Sequence, residues 1–165
     1  MTTHFDFFEG DRVSPVIPIE QLTLENDAFR RVYSTTEQQQ LVFMALQPRE
    51  EIGLEVHQFN TQFFRIEQGH GLAILNGQEF QLQDGDSITV PANTQHNVVN
   101  VSPNQMLKLY TIYAPPKHAP GLLQYEKPKP FTVAGSSRSK SIAEQQEEED
   151  ESEEAEEYQE ANQFY

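Results

Sequence analysis

Four side chains able to bind a metal ion stand at short spacings in the middle of the chain. Glu55 and His57 are separated by one residue, and Gln62 follows five positions after His57. His96 comes much later, after the turn-forming segment Pro91-Ala-Asn-Thr. A carboxylate, two imidazoles and an amide oxygen are hard-to-borderline donors, which suit divalent Zn, Fe, Mn, Ni or Co. The predicted metal ligands are therefore Glu55, His57, Gln62 and His96.

An ion held by this set would keep about two open positions if it were octahedral. It could then polarise a carbonyl or hydroxyl oxygen, or lower the pKa of a bound water. Tyr110 and Tyr113 are candidates for a general acid near the metal, and the sequence does not choose between them. The alternative is a polar, hydrogen-bonded network that holds no metal.

Short β-prone runs must position these residues. Their close spacing, the lack of a helical period and the Asn76-Gly77 hairpin signal predict an antiparallel sandwich or barrel. Side chains alternate along a strand, so Glu55 and His57 are expected on one side of a strand, with distant ligands meeting inside the barrel. The predicted strands are Leu41–Leu46, Gln62–Ile66, Leu72–Leu75, Glu79–Leu82, Ser87–Val90, Asn97–Val101 and Leu107–Tyr113.

The chain is predicted to hold one folded domain and a tail. Residues 1–134 are assigned to the domain, with a barrel core at residues 31–114, and Glu20–Phe29 is expected to contain one helical turn. Proline-rich Ala119–Val133 is expected to cross the barrel as an extended strap. Residues 135–165 read as a Ser-rich linker and an acidic tail, predicted to be disordered because the tail has few large apolar residues and strong like-charge repulsion.

The net charge of −15 comes mostly from that tail, because the chain without Ser136–Tyr165 has a charge of −6. No basic cluster is present, which argues against direct binding of nucleic acid. The tail could instead engage a basic protein partner. No apolar run is long enough to span a bilayer, and no secretory signal is visible, so the cytoplasm is the expected location, with the nucleus left open. The absence of cysteine excludes disulfides.

The region around His96 resembles the second motif of the cupin superfamily, G-x5-P-x-G-x2-H-x3-N. Gly85, Pro91, His96 and Asn100 match at the right spacings, while Asn93 replaces the second glycine. Asn93 suits that position because asparagine tolerates left-handed backbone. Asn100 is expected to close a turn or strand edge rather than to touch a substrate.

The first cupin motif, H-x-H-x(3,4)-E-x6-G, is matched in spacing by Glu55, His57, Gln62 and Gly69, with its first histidine replaced by Glu and its Glu by Gln. The resemblance extends over Val42–Ala114 and is nearest to the small single-domain, mannose-6-phosphate-isomerase-like cupins. It implies an all-β, antiparallel cupin-type barrel (a double-stranded β-helix or jelly roll), a metal between the sheets, and frequent homodimers.

Two functional hypotheses follow from this resemblance. The first is a metal-dependent cupin enzyme, of isomerase, cyclase or oxygenase type, that acts on a small polar substrate such as a sugar derivative. The second is a non-enzymatic cupin module that binds a small ligand and whose acidic tail engages a basic partner. The other histidines, His4, His70 and His118, are not assigned a ligand role.

Overall fold

The computed structural model describes residues 16–129 together with the backbone of one short N-terminal strand. The predicted linker and acidic tail lie outside these residues. In chain order the elements are β1 (Phe8–Glu9), α1 (Ile19–Glu25), β2 (Arg30–Thr35), β3 (Gln40–Leu46), β4 (Thr61–Gln68), β5 (His70–Leu75), β6 (Gln78–Gln83), β7 (Ser87–Val90), β8 (His96–Asn100), β9 (Leu107–Ala114) and β10 (Leu123–Gln124). All seven predicted strands are present, with ends that differ by no more than two residues.

The strands form two sheets that enclose the core. The larger sheet has the order β1-β2-β3-β9-β4-β7, with β10 also paired to β2, and the smaller sheet has the order β6-β5-β8. Only β1 on β2 is a parallel pair among the described strands. The all-β, antiparallel jelly-roll barrel predicted from the sequence is therefore confirmed.

Strand β3 is apolar after its first residue, Gln40, because both of its faces are covered. Val42, Met44 and Leu46 point into the core between the sheets, where they pack with buried residues such as Phe64 and Val98. Burying a side chain of this size stabilises the fold by about 1.5–3 kcal/mol. A continuous apolar run of only six residues, Leu41–Leu46, is thus the pattern of a strand without a solvent face.

The helix α1 covers the outer face of the larger sheet. Its Leu22 packs on Tyr33 and Phe43, whose rings meet edge to face with centroids 5.3 Å apart. The helical turn predicted in Glu20–Phe29 is confirmed as a seven-residue helix. Within the described part of the chain, α1 is the one α-helix, and it is neither long nor apolar enough to cross a membrane.

Strands β2 and β10 were not predicted, and together they bring the C-terminal strap onto the barrel. β2 begins with two arginines and reads as polar, while β10 has only two residues and follows a proline-rich stretch. β10 pairs with β2, with Gln124 opposite Arg30. The local sequence pattern of both strands is weak. Their pairing joins segments that are far apart in the chain, which local sequence does not indicate.

Gly69, between β4 and β5, occupies a position that only glycine fits. Its φ is 98°, and a Cβ built there would lie 2.7 Å from the carbonyl oxygen of Met106. We expect Gly69→Ala to lower the free energy of unfolding by about 2–3 kcal/mol, measured by urea denaturation. Gly77→Ala is the matched control, because its φ is 81° but nothing lies within 4 Å of its Cβ. Equal losses in the two variants would show that backbone strain alone, and not the Met106 contact, matters at Gly69.

Candidate metal centre

The backbone holds Glu55 and His96 directly opposite each other. The N–H of Glu55 donates to the carbonyl of His96 at 2.8 Å, and the N–H of His96 donates to the carbonyl of Glu55 at 2.9 Å. The carbonyl of His57 accepts a hydrogen bond of 2.7 Å from the N–H of Asn93. Asn93 has a φ of 62°, the left-handed conformation expected where it replaces the motif's glycine. These bonds join the first motif to the second.

The segment around Glu55 and His57 is not the regular strand that the alternation argument assumed. Glu55 forms an isolated bridge to His96, and His57 lies outside any strand. Gly53, with a φ of 115°, interrupts extended backbone just before the bridge. The reason given for placing the two side chains together is therefore wrong, since one bridge and the turn at Asn93 position them instead.

The side chains of Glu55, His57 and His96 converge on one point. Oε2 of Glu55 lies 3.2 Å from Nε2 of His57 and 3.8 Å from Nε2 of His96. All the ligand atoms of this group lie within 4.8 Å of one another. Ligands bound at about 2.1 Å with tetrahedral or octahedral angles lie about 3.0–3.5 Å apart. The three side chains could therefore hold a single ion after small adjustments.

Gln62, the fourth predicted ligand, also reaches this point. Its side chain is fully buried, and its Oε1 lies 3.0 Å from Nε2 of His96. Its amide nitrogen donates to the Thr111 hydroxyl at 3.1 Å, which turns the amide oxygen towards the histidine. The structure thus brings together all four residues that the sequence singled out.

The hydrogen bonds of His96 leave its Nε2 free to bind a cation. Nδ1 lies 2.8 Å from the carbonyl oxygen of Thr94, which can only accept, so Nδ1 carries a proton. Burial lowers the pKa of His96, so the ring is neutral near pH 7 and Nε2 has a lone pair. That lone pair faces Oε1 of Gln62 and the carboxylate of Glu55. Three acceptors converging in a buried space fit a bound metal ion.

Glu55 supplies the negative charge of the site. Burial opposes its ionisation, but the hydrogen bond and charge of His57, together with the charges of Arg30 and His96, outweigh burial and lower the pKa of Glu55. Nη2 of Arg30 lies 3.9 Å from Oε1 of Glu55, while Nη1 donates to Gln124 at 3.0 Å. Glu55 is therefore a carboxylate at neutral pH with its Oε2 directed at the histidines.

Of the two tyrosines on β9, only Tyr113 belongs to the site. Its fully buried ring meets His57 edge to face at 5.8 Å, and burial, with the charge of Glu55, raises the pKa of Tyr113. Tyr110 lies on the other face of the sheet, 6.3 Å from the ring of Phe63. Tyr113 thus keeps its proton and is the candidate donor near the metal ligands.

Two further residues beside the site were missed by sequence reasoning. Arg30 shares the inward face of β2 with Val32, and the alternation of these two positions was the available signal. His118 stands directly before the strap in a proline-rich stretch, which gave it no role, but its ring packs on Tyr113 with centroids 5.0 Å apart. The position of His70 directly before Gly71 predicts a solvent-facing loop residue; His70 is exposed, but it begins β5 and is not in a loop.

Known proteins show the same domain. Residues 42–113 match the sequence profile described as "Cupin domain". The "Uncharacterized protein L612" of Acanthamoeba polyphaga mimivirus is 40% identical over 129 residues, which cover 76% of this chain and 78% of that protein. The "Uncharacterized protein YrkC" of Bacillus subtilis is 41% identical over 118 residues, which cover 68% of this chain and 63% of that protein.

A solved structure supports the same relationship. The crystal structure of BH2720 from Bacillus halodurans superposes with a TM-score of 0.69 at 39% sequence identity. The match covers 71% of this chain and 92% of that one, so the likeness extends over nearly the whole of the solved protein.

Proposed function

This chain belongs to the cupin family, and from that membership we propose that it binds a divalent transition-metal ion and, next to it, a small polar molecule. The proposed ligands are Glu55, His57, Gln62 and His96. The observation that carries the proposal is the convergence of one carboxylate, two imidazoles and one amide oxygen at a buried point. This donor set is suited to Zn, Fe, Mn or Ni.

The residues around this point have separable roles. When bound, a divalent ion supplies a Lewis acid that polarises a carbonyl or hydroxyl oxygen. Glu55 provides the negative charge, and the Thr94 carbonyl fixes the tautomer of His96. Tyr113, whose ring contacts His57 and whose side chain is hydrogen-bonded to Gln62, keeps its proton and could donate it to a neighbouring oxygen. Such a site is suited to isomerase, cyclase or oxygenase chemistry on a sugar derivative or another small carbonyl compound.

The non-enzymatic alternative uses the same metal site. The acidic tail on which it also depends lies outside the described residues. The proposal therefore concerns the barrel alone. Membership of the mannose-6-phosphate-isomerase-like group, a homodimer and a basic partner for the tail stay predictions from the sequence.

Metal reconstitution tests the proposed function. Protein stripped with a chelator is titrated with Co²⁺ and then with Zn²⁺, and metal content is measured after dialysis. We expect about one ion per chain, with a visible Co²⁺ spectrum typical of nitrogen and oxygen ligands and without a thiolate band. Protein that retains no stoichiometric metal under these conditions would refute the proposal.

Gln62→Glu should strengthen metal binding by about tenfold, because an anionic oxygen replaces a neutral one at the same position. The affinity is measured by competition with a chromophoric chelator. Gln62→Ala is the comparison, and we expect it to bind metal more weakly than the natural chain. If Gln62→Glu folds but binds metal no more tightly, Gln62 does not contact the ion.

A further inference from the structure

Two buried nitrogen atoms beside the metal centre have no hydrogen-bond partner. They are Nε of Arg30 and Nε2 of His118. The third such side-chain atom among the described residues is Nε of Arg65, which lies 3.5 Å from a carboxylate oxygen of Glu67. Buried polar groups are almost always paired in folded proteins, so two unpaired atoms in one region indicate a missing partner.

Contacts with neighbouring residues fix the position of the Arg30 side chain. The guanidinium of Arg30 is held by Gln124 at 3.0 Å and by Glu55 at 3.9 Å, and it lies over the ring of Phe29 at 5.4 Å. These contacts engage Nη1 and Nη2 and leave Nε unused. The free N–H of Arg30 is thus a fixed feature beside the metal centre.

His118 is held through its backbone by a buried glutamine. The N–H of His118 donates to Oε1 of Gln40 at 2.9 Å, and its carbonyl accepts from Nε2 of Gln40 at 2.6 Å. Gln40 is fully buried and also donates to the Thr35 hydroxyl at 3.0 Å. This clamp, with the ring contact to Tyr113, keeps Nε2 of His118 beside the metal centre without an internal partner.

The two nitrogens differ in charge. Burial, followed by the positive charge of Arg30, lowers the pKa of His118 to about 3, so its ring is neutral near pH 7. The carboxylate of Glu55 acts in the opposite direction and raises the pKa of His118, but it does not outweigh burial. The site therefore offers one cationic N–H from Arg30 and one neutral imidazole nitrogen from His118.

We infer that Arg30 and His118 together bind the carboxylate of a small hydroxy or oxo acid whose other oxygen lies at the metal. The inference rests on the proposed function, since it names the substrate class of the same site. In the tautomer that carries its proton on Nε2, His118 offers an N–H in addition to that of Arg30, and two separate donors match the two oxygens of a carboxylate. A dianionic phosphate would be repelled more strongly by Glu55, which lies 3.9 Å from Arg30.

His118 could alternatively be a fifth metal ligand, but the geometry disfavours that role. The ligand atoms that cluster within 4.8 Å of one another come from Glu55, His57 and His96, and His118 is not among them. Its ring contact is instead with Tyr113, whose ring lies 5.8 Å from His57 and 5.0 Å from His118. That position is suited to contact with the part of a ligand that extends beyond the metal.

The test compares glycolate with its neutral analogue glycolamide on the zinc-loaded full chain, by ligand-observed NMR. The natural chain should prefer glycolate by about tenfold, because a hydrogen bond to a charged group is lost in the amide. His118→Phe keeps the ring packing on Tyr113 and should remove most of that preference. His118→Gln should restore part of it, and Arg30→Lys should also weaken glycolate binding. The exposed His70→Phe is the control and should bind like the natural chain.

Zinc content, measured on the same samples, distinguishes failure of the carboxylate inference from failure of the proposed function. Unchanged glycolate preference in His118→Phe, with zinc still bound, overturns the carboxylate inference and leaves the metal proposal intact. Loss of zinc from His118→Phe alone shows that His118 is a metal ligand, which also overturns the inference. A natural chain that binds no zinc overturns the proposed function itself.

Discussion

Replacing His96 with alanine is expected to lower metal affinity by at least about a hundredfold, and His57→Ala should do the same. Each change removes one of two imidazole ligands, and the remaining imidazole, carboxylate and amide oxygen cannot hold a transition-metal ion against dialysis. His96→Ala also removes the side chain that faces both Glu55 and Gln62. The measurement is metal content per folded chain after reconstitution with Zn²⁺.

The control for this prediction is His70→Ala, because His70 is exposed in the smaller sheet and should leave metal content unchanged. Circular dichroism in the presence of a chelator shows whether each variant keeps its β-structure, so that metal loss is not confused with unfolding. Equal zinc content in the natural chain and both histidine variants would mean that the site does not bind metal.

Asn100→Ala is expected to have the largest effect on stability, lowering the free energy of unfolding by about 3 kcal/mol. The fully buried amide of Asn100 donates to the carbonyls of Leu46, Gln47 and Gln105 at 3.1, 3.0 and 2.8 Å. Its Oδ1 accepts from the N–H of Ser102 at 3.0 Å. Alanine would leave these backbone groups without partners where β8 ends. Chemical denaturation with urea measures the change.

Asn104→Ala, in the same loop, is the matched control because Asn104 is exposed and its side chain contacts only the Ser102 hydroxyl at 3.3 Å. We expect this control to change stability by less than about 0.5 kcal/mol. Zinc content per folded chain should stay unchanged in Asn100→Ala, since Asn100 closes the loop and does not face the metal. Similar losses from the two asparagines would contradict this structural role.

The four candidate ligands could be singled out from the sequence because they are tied to local backbone features. Glu55, His57 and Gln62 lie within eight residues of one another, and His96 follows a turn whose Pro91 and Asn93 are recognisable by residue type. The alternation argument for the first pair was nevertheless wrong, since a single bridge to His96 replaces the expected strand. Spacing thus identified the residues without identifying the geometry that joins them.

The surroundings of the metal ligands depend on contacts between distant parts of the chain. Most of the barrel sequence lies between Arg30 and His118. The pairing of β10 with β2 and the hydrogen bonds of Gln40 to the His118 backbone bring both residues to the site. The choice of Tyr113 over Tyr110 likewise depends on which face of β9 covers the core. The alternation of Arg30 with Val32 is the one local signal for these features, and it does not indicate that His118 lies beside Arg30.

By itself the sequence determined an antiparallel β-barrel and the four candidate metal ligands, because alternation, hairpin turns and motif spacing act over a few residues. Only the tertiary structure decided which tyrosine faces the site and that Arg30 and His118 leave unpaired nitrogen atoms beside it. These features arise when side chains far apart in the chain are buried together, where packing and desolvation decide which polar groups find partners.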